Sequence, residues 1–386
     1  MRRILILMLV LCAVLPAAYA FLRSIDTPTG DDADTAAIFV MPKSGPFAPE
    51  PASAAQRAAT DAWARSGHSD AASLAFSNWN EAGVIPPFCA VCHSGTGFRS
   101  LHGFDGSAPG LPEHPVPVGG VVDCATCHSP GLASVTQIAI PSGVMHPVTG
   151  TEAACMSCHQ GMAAGTTIAR AVEDKPVDAP DPALDFINPH YATAAATQLG
   201  GDGGMGYHYP GKAYSGRFLH AKPVQTCASC HDPHRLTVDA QTCLRCHATG
   251  SAADIRTSRM SYDGSGDTRK GIRQDISANA SRLLDMIEDY AARVAGVPLI
   301  YDSGRHPYFF ADADGDGIAD QADGKPVHYS AWTPRLLKAT YNWKFVGSDT
   351  GIHVHNPRYA LELLHDSMED LSAPLGVDFA ALDVKR

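Results

Sequence analysis

The sequence has few aromatic and few charged residues for its length. Aromatic side chains make up 8% of the 386 residues and charged side chains 18%, whereas glycine and proline occur 35 and 28 times. This composition predicts a loop-rich body that needs a cross-link or a bound group to hold it together. Hydrophobic residues still reach 45%, which favours a globular protein over a disordered one.

Positive charge and long apolar runs are also scarce. The 29 lysines and arginines against 40 aspartates and glutamates give a formal net charge of -11, which argues against a nucleic-acid partner. A membrane-spanning helix needs about 20 consecutive apolar residues. No segment after the N-terminus provides such a run. We therefore expect no transmembrane span in the mature chain.

The first twenty residues have the pattern of a secretory signal peptide. Arg2 and Arg3 precede an apolar stretch at 4–16, and the small-x-small segment 18–20 then suits signal peptidase. The alternative is an uncleaved anchor, but the apolar stretch is short for a span. The sequence predicts residues 1–20 as signal peptide, Phe21 as the first mature residue, and an exported protein that is periplasmic or extracellular.

Cysteine has the most informative pattern in the chain. One of the eleven cysteines, Cys12, falls in the predicted signal peptide, and the other ten form five Cys-x-x-Cys pairs, each followed directly by histidine. In chain order, the five motifs are Cys89/Cys92 with His93, Cys124/Cys127 with His128, Cys155/Cys158 with His159, Cys227/Cys230 with His231, and Cys243/Cys246 with His247.

This spacing predicts covalent haem attachment. The two thiols reach the two vinyl groups of one haem, and the next histidine supplies an imidazole to the iron. Disulfides are common in exported proteins but do not require a histidine after every second cysteine. Five such motifs also fit zinc poorly. We therefore predict five haem c groups with those five histidines as proximal ligands.

Three regions follow the predicted signal peptide. Residues 21–60 read as a low-order leader or linker, 61–250 as the pentahaem-binding domain, and 251–386 as a helical C-terminal region. Within the second region, residues 67–84 have helical spacing. The predicted fold class is mainly α with extensive irregular loops, in which the chain wraps around a row of haems.

Three helices are predicted in the C-terminal region. An apolar stripe runs from Ile272 to Val294, a second helix covers 333–345 with Pro334 at its start, and a third begins at Asn356, followed by proline, and continues to Leu371. We expect these helices to form a lid over the haem cluster.

A calcium loop is predicted between the first two of these helices. The segment DADGDGIADQAD, residues 312–323, has carboxylates at positions 1, 3, 5, 9 and 12 and glycine at position 6, which suits an oxygen-lined calcium site. It resembles the Asp-rich loops of thrombospondin and dockerin repeats more than an EF-hand, and an acidic solvated turn is the alternative. The predicted ligands of one structural Ca²⁺ are Asp312, Asp314, Asp316, Ile318, Asp320 and Asp323.

From about residue 60 onward the chain resembles secreted multihaem c-type cytochromes with repeated Cys-x-x-Cys-His motifs. The segments that carry the resemblance are SGHSDAASLAFSNWNEAGVIP, FINPHYATAAATQLGG, YPGKAYSGRFLH, CASCHDPH, WTPRLLKATYNWKFV and HVHNPRYALELLHDS. In that family, histidines in these contexts are distal haem ligands. The resemblance thus implies the distal ligands His68, His190, His220, His234 and His355, with His146, His208, His353 and His365 as substitutes.

Two classes of function compete. A carrier has every iron six-coordinate and passes electrons between redox partner proteins or to an extracellular acceptor. A reductase of nitrite or a similar oxyanion needs one open iron position. Pentahaem nitrite reductases mark that haem with lysine in place of the motif histidine, and no Cys-x-x-Cys-Lys occurs here. We therefore expect an electron carrier without a catalytic residue. Self-assembly into an extracellular filament is a third possibility.

Overall fold

The computed structural model describes residues 52–148, 150 and 152–386. The predicted signal peptide at 1–20 and most of the predicted leader at 21–60 lie outside the described residues. Residues Thr60–Arg386 form one compact unit, which contains both the predicted haem-binding region and the predicted C-terminal region. No helix among the described residues combines the length and the apolar character needed to cross a bilayer.

Helices are short in the haem-binding region and long in the C-terminal region. In chain order they are α1 Ala54–Trp63, α2 Leu74–Ser77, α3 Pro87–His93, α4 Gly95–His102, α5 Cys124–His128, α6 Glu152–Cys158, α7 Gly165–Ala171, α8 Ala194–Leu199, α9 Cys227–Cys230, α10 Ala240–Leu244, α11 Ile272–Tyr290, α12 Pro334–Gly347, α13 Ile352–His355 and α14 Pro357–Leu375. Single 3-10 turns cover Pro130–Ser134, Gly200–Asp202, Ala252–Asp254 and Phe379–Leu382, and a π-turn at Ala291–Ala295 extends α11.

The strands are two or three residues long and form antiparallel pairs, each between two strands that are consecutive in the chain. They are β1 Val84–Ile85, β2 Val116–Pro117, β3 Gln137–Ala139, β4 Met145–Pro147, β5 His231–Asp232, β6 Thr237–Val238, β7 Leu299–Tyr301, β8 Phe309–Ala311, β9 Gln321–Ala322 and β10 Lys325–Pro326. The fold is therefore a mixture of helices, long loops and small strand pairs, and "mainly α" describes it incompletely.

The three predicted C-terminal helices are confirmed, and a side chain caps the start of two of them. Thr333 accepts a hydrogen bond from Leu336 N at 3.1 Å and begins α12. Asn356 accepts one from Tyr359 N at 3.2 Å and begins α14. Such side chains satisfy backbone donors that have no partner within the helix. Gly296, at a φ of 81°, ends the π-turn after α11.

The predicted helical segment 67–84 is wrong for most of its length. It contains one helical turn, Leu74–Ser77, and Leu74 on that turn is 80% exposed. Short polar side chains in this segment bond to nearby backbone, as where Asp70 Oδ1 accepts from Ala72 N at 3.1 Å. Because such local bonds compete with the helical pattern, the segment folds as successive turns.

The hydrophobic core lies mainly among the C-terminal helices. Helices α11, α12 and α14 pack on one another and bury side chains such as Leu283, Leu337 and Leu364 completely. The same cluster continues into the haem-binding region through Met156 and Ile168. The C-terminal helices therefore supply the main core of the compact unit, a larger role than the predicted lid.

Candidate haem sites

The five motifs lie on or beside short helices. Cysteines three residues apart on one helical turn lie on the same side of that turn. Asp123 caps the second motif by accepting from Thr126 N at 2.9 Å, and Asp239 caps the fifth by accepting from Gln241 N at 2.9 Å. Within residues 52–386 that the structure describes, no disulfide joins the motif cysteines.

Every motif histidine lies beside one of the five distal candidates. The sequence alone indicates the two sets but not how they match, since the partners are 27 or more residues apart in each case. The ring centroids are 5.8 Å apart for His93 and His190, 6.0 Å for His128 and His234, 6.4 Å for His159 and His68, 6.2 Å for His231 and His355, and 6.1 Å for His247 and His220.

These separations fit one metal ion between two imidazoles. With a metal–nitrogen bond of about 2 Å and a ring centre roughly 1.2 Å behind the nitrogen, two axial imidazoles have centroids about 6.4 Å apart. Direct stacking of two rings brings their centroids closer, as for His208 and Tyr214 at 4.1 Å. The histidine pairs thus have the spacing that the haem prediction requires. His234 lies against His128 rather than its sequence neighbour His231.

One strained loop serves the first and third motifs together. His190, the partner of His93, has a φ of 81°, and Ala192 has a φ of 52°. The carbonyl oxygen of Ala192 lies 3.0 Å from Nδ1 of His159, the histidine of the third motif. Left-handed backbone is costly for residues other than glycine and is concentrated at functional sites. The left-handed backbone at His190 and Ala192 thus places the His190 side chain beside His93 and the Ala192 carbonyl beside His159.

Burial favours the neutral form of the paired imidazoles. It lowers the pKa of His93, His159 and His68, and burial together with the nearby His93 lowers the pKa of His190 to about 4. Neutral imidazole is the form that binds a metal. These rings are therefore in the form that can bind a metal near neutral pH.

His355 has a different electrostatic environment. Its Nδ1 lies 2.7 Å from Asp349 Oδ2 and 3.0 Å from Asp349 Oδ1. Burial alone would lower the pKa of His355, but the Asp349 carboxylate outweighs it and raises that pKa. Sequence reasoning did not single out Asp349. The only signal was an acidic residue shortly before the segment that contains His355.

Three of the motifs adjoin one another. Cys92 Sγ lies 3.7 Å from the carbonyl oxygen of Ser157, and Cys158 Sγ lies 3.9 Å from that of Val91. The Cys92 and Cys158 thiols are also in contact. The Cys155 and Cys227 thiols contact each other in the same way. The third motif therefore lies between the first and the fourth.

The substitute histidines have other surroundings. His208 Nε2 lies 2.8 Å from the Tyr359 hydroxyl, and His365 Nδ1 lies 3.0 Å from Asp366 Oδ1. His146 is buried and His353 half-buried. Among the described residues, none of these four rings lies against a motif histidine.

The Asp-rich loop gathers part of its predicted ligand set. Carboxylate oxygens of Asp312, Asp314 and Asp320 lie within 4.8 Å of one another. Asp316 accepts a hydrogen bond from Ile318 N at 2.8 Å. Asp323 lies outside the gathered group, because it forms with Gly324 the two-residue turn between β9 and β10.

Comparison with known proteins gives distant relatives. No family model and no solved structure matches the chain. The C-type polyheme cytochrome OmcC of Geobacter sulfurreducens is 26% identical over 236 residues, which are 56% of this chain and 29% of that protein. OmcB of the same species is 26% identical over 249 residues, 58% of this chain and 32% of that protein. The chain thus spans about a third of the length of these relatives. It is a distant homologue of polyheme c-type cytochromes.

Proposed function

We propose that this chain is an exported pentahaem c-type cytochrome that transfers electrons through haems with two axial histidines. The observation that carries the proposal is the placement of five motif histidines beside five other histidines at 5.8–6.4 Å. The distant homology to polyheme cytochromes supports the same chemistry. Its partners are redox proteins or an extracellular acceptor, and it works in the periplasm or outside the cell.

The cysteines, the histidines and the backbone carbonyls have different roles in binding and orienting a haem. The cysteines of each motif would hold a haem covalently, and the paired imidazoles would bind its iron. Carbonyl oxygens orient some of these rings, as where Ala75 O lies 2.6 Å from His93 Nδ1. When bound, each haem supplies a one-electron couple. If both imidazoles of each pair bind the iron, no position would remain for a substrate, so the pairing of the histidines favours a carrier over a catalyst.

The spin state of the purified holoprotein tests this proposal. Electron paramagnetic resonance and optical spectra should show only low-spin iron, unchanged by added nitrite or cyanide. A high-spin component that binds the added ligand would instead indicate an open haem and an oxyanion reductase. Sedimentation at increasing protein concentration separates a monomeric carrier from a filament subunit.

A single substitution tests the ligand pairs. His234→Ala removes the partner of His128, so one of five haems should become high-spin and bind cyanide. His114 is exposed and lies outside the five pairs, so His114→Ala is the matched control and should leave all haems low-spin. Low-spin iron throughout the His234→Ala protein would contradict this assignment.

We also propose one structural Ca²⁺ in the 312–323 loop. The grouped oxygens of Asp312, Asp314 and Asp320 support it, since calcium prefers several carboxylate and carbonyl oxygens. Ile318 offers its carbonyl, as in comparable loops. Calcium should raise the midpoint of thermal unfolding of the wild-type holoprotein and not that of Asp312→Asn. An equal effect on both proteins would exclude this site.

A further inference from the structure

A buried carboxylate holds the ring of His355. Asp349 is 4% exposed, and its Oδ2 accepts the Nδ1–H of His355 at 2.7 Å. The backbone N–H of Gly351 donates to Oδ1 of the same carboxylate at 3.0 Å. The carboxylate is thus held by two donors, and Nε2 is the nitrogen of His355 left to bind a metal; the ring centroid lies 6.2 Å from that of His231.

Where Nδ1 of another imidazole in the five pairs has a hydrogen-bond partner, that partner is a neutral backbone carbonyl. Nδ1 lies 2.6 Å from Ala75 O in His93, 3.0 Å from Ala192 O in His159, and 3.4 Å from Ala221 O in His220. Within the part of the chain that the structure describes, His355 is the one member of the five pairs with a carboxylate partner.

A carboxylate partner changes what the imidazole does for a metal. It draws the ring proton toward itself, which makes the opposite nitrogen a stronger electron donor. A negative charge close to a buried iron also favours the more positive oxidation state, because the low dielectric screens it poorly. Both effects stabilise ferric iron over ferrous iron.

We propose that Asp349 is a positioning residue that lowers the reduction potential of the haem bound at the fourth motif. This inference rests on the proposed function, since it requires His355 to bind that iron. The third motif adjoins the fourth through Cys155 and Cys227. The Asp349 charge also reaches His159 of the third motif, but only His355 is hydrogen-bonded to it, so Asp349 would lower the potential of the fourth haem more than that of the third and would favour electron transfer from the fourth to the third.

Potentiometric titration of the holoprotein tests the proposal. Asp349→Asn keeps the size of the side chain and an oxygen acceptor but removes the charge. The reduction step of the fourth haem should move furthest toward higher potential, that of the third should move less because the Asp349 charge also reaches His159, and the other three should stay in place. The control is Asp366→Asn, which removes a buried carboxylate from His365, a histidine outside the five pairs. It should leave all five steps unchanged.

His355→Ala separates this inference from the ligand assignment. The variant should convert one haem to high-spin and identify the reduction step of the fourth haem. If it does so and Asp349→Asn leaves that step in place, the role of Asp349 is overturned while the axial pair stands. If Asp366→Asn shifts the step equally, the effect is one of buried charge in general and the inference also fails. If His355→Ala keeps every haem low-spin, the pair itself is wrong.

Discussion

His190 and His355 reach their partner histidines from different kinds of backbone. His190 projects from a loop with left-handed backbone, whereas His355 ends the one-turn helix α13. Gly351, the residue just before α13, leaves the space that the His355 ring occupies. A Cβ on Gly351 would lie 2.7 Å from Cε1 and 3.2 Å from Nδ1 of His355. Atoms do not approach so closely without displacement.

Gly351→Ala should therefore displace the His355 ring. We expect weaker binding of the iron at the fourth motif, visible as partial high-spin signal in electron paramagnetic resonance. Gly347→Ala, at the end of α12, is the control, because a Cβ there meets no atom within 4 Å. That change should stabilise the protein by about 0.4–1 kcal/mol through the unfolded state. Spectra of Gly351→Ala identical to wild type would show that the ring has room to move.

Among the elements, α12 depends for its stability on Thr333, the residue that caps its start. The Thr333 hydroxyl is buried, accepts from Leu336 N at 3.1 Å, and lies 3.1 Å from the Tyr290 hydroxyl on α11. Thr333→Val keeps the shape but removes this link between two core helices. The free energy of unfolding should fall by about 1–2 kcal/mol. Thr333→Ser keeps the hydroxyl and should lose clearly less. Equal losses in denaturant titrations would indicate that the methyl group, not the hydrogen bond, matters.

Helix α14 is tied to the C-terminus through Asp366. Burial alone would raise the pKa of Asp366, but hydrogen bonds from His365 and Arg386 outweigh it and lower that pKa from 3.8 to about 2. Tyr214 and Lys212 also face this carboxylate. A lowered pKa means that the ionised Asp366 carboxylate stabilises the folded state, by about 2 kcal/mol at neutral pH.

This stabilisation should be complete above about pH 4 and should disappear as the pH falls toward 2. Denaturant unfolding of wild type and Asp366→Asn at several pH values measures it. The difference in unfolding free energy should be largest near neutral pH and shrink in acid. A difference that stays constant with pH would show that the charge of Asp366 does not contribute.

For the whole molecule, the sequence predicts local features better than distant ones. The haem motifs and the cap at Asn356 depend on residues within a few positions of one another, so spacing alone predicts them. The match between His128 and His234 depends on the path of more than a hundred intervening residues, and no local pattern encodes it. Asp349 was missed for the same reason, because its role appears only once α13 is placed.

The haem motifs also differ in how deeply they enter the fold. The third motif lies on α6, where Ala153 and Met156 belong to the main hydrophobic cluster. The fifth lies on α10, which buries no residue. A group that binds only to the folded state stabilises that state. A group attached at a motif in the hydrophobic core therefore supports a larger part of the fold.

Loss of the third haem should therefore cost far more than loss of the fifth. Changing both Cys155 and Cys158 to serine should abolish recovery of folded protein or lower its unfolding temperature strongly. The matched change of Cys243 and Cys246 should leave a folded protein that lacks one haem, shown by pyridine haemochrome content and circular dichroism. Because the third motif lies between the first and the fourth, its loss should also slow reduction of the remaining haems. Equal stability of the two variants would mean that the core at α6 forms without its haem.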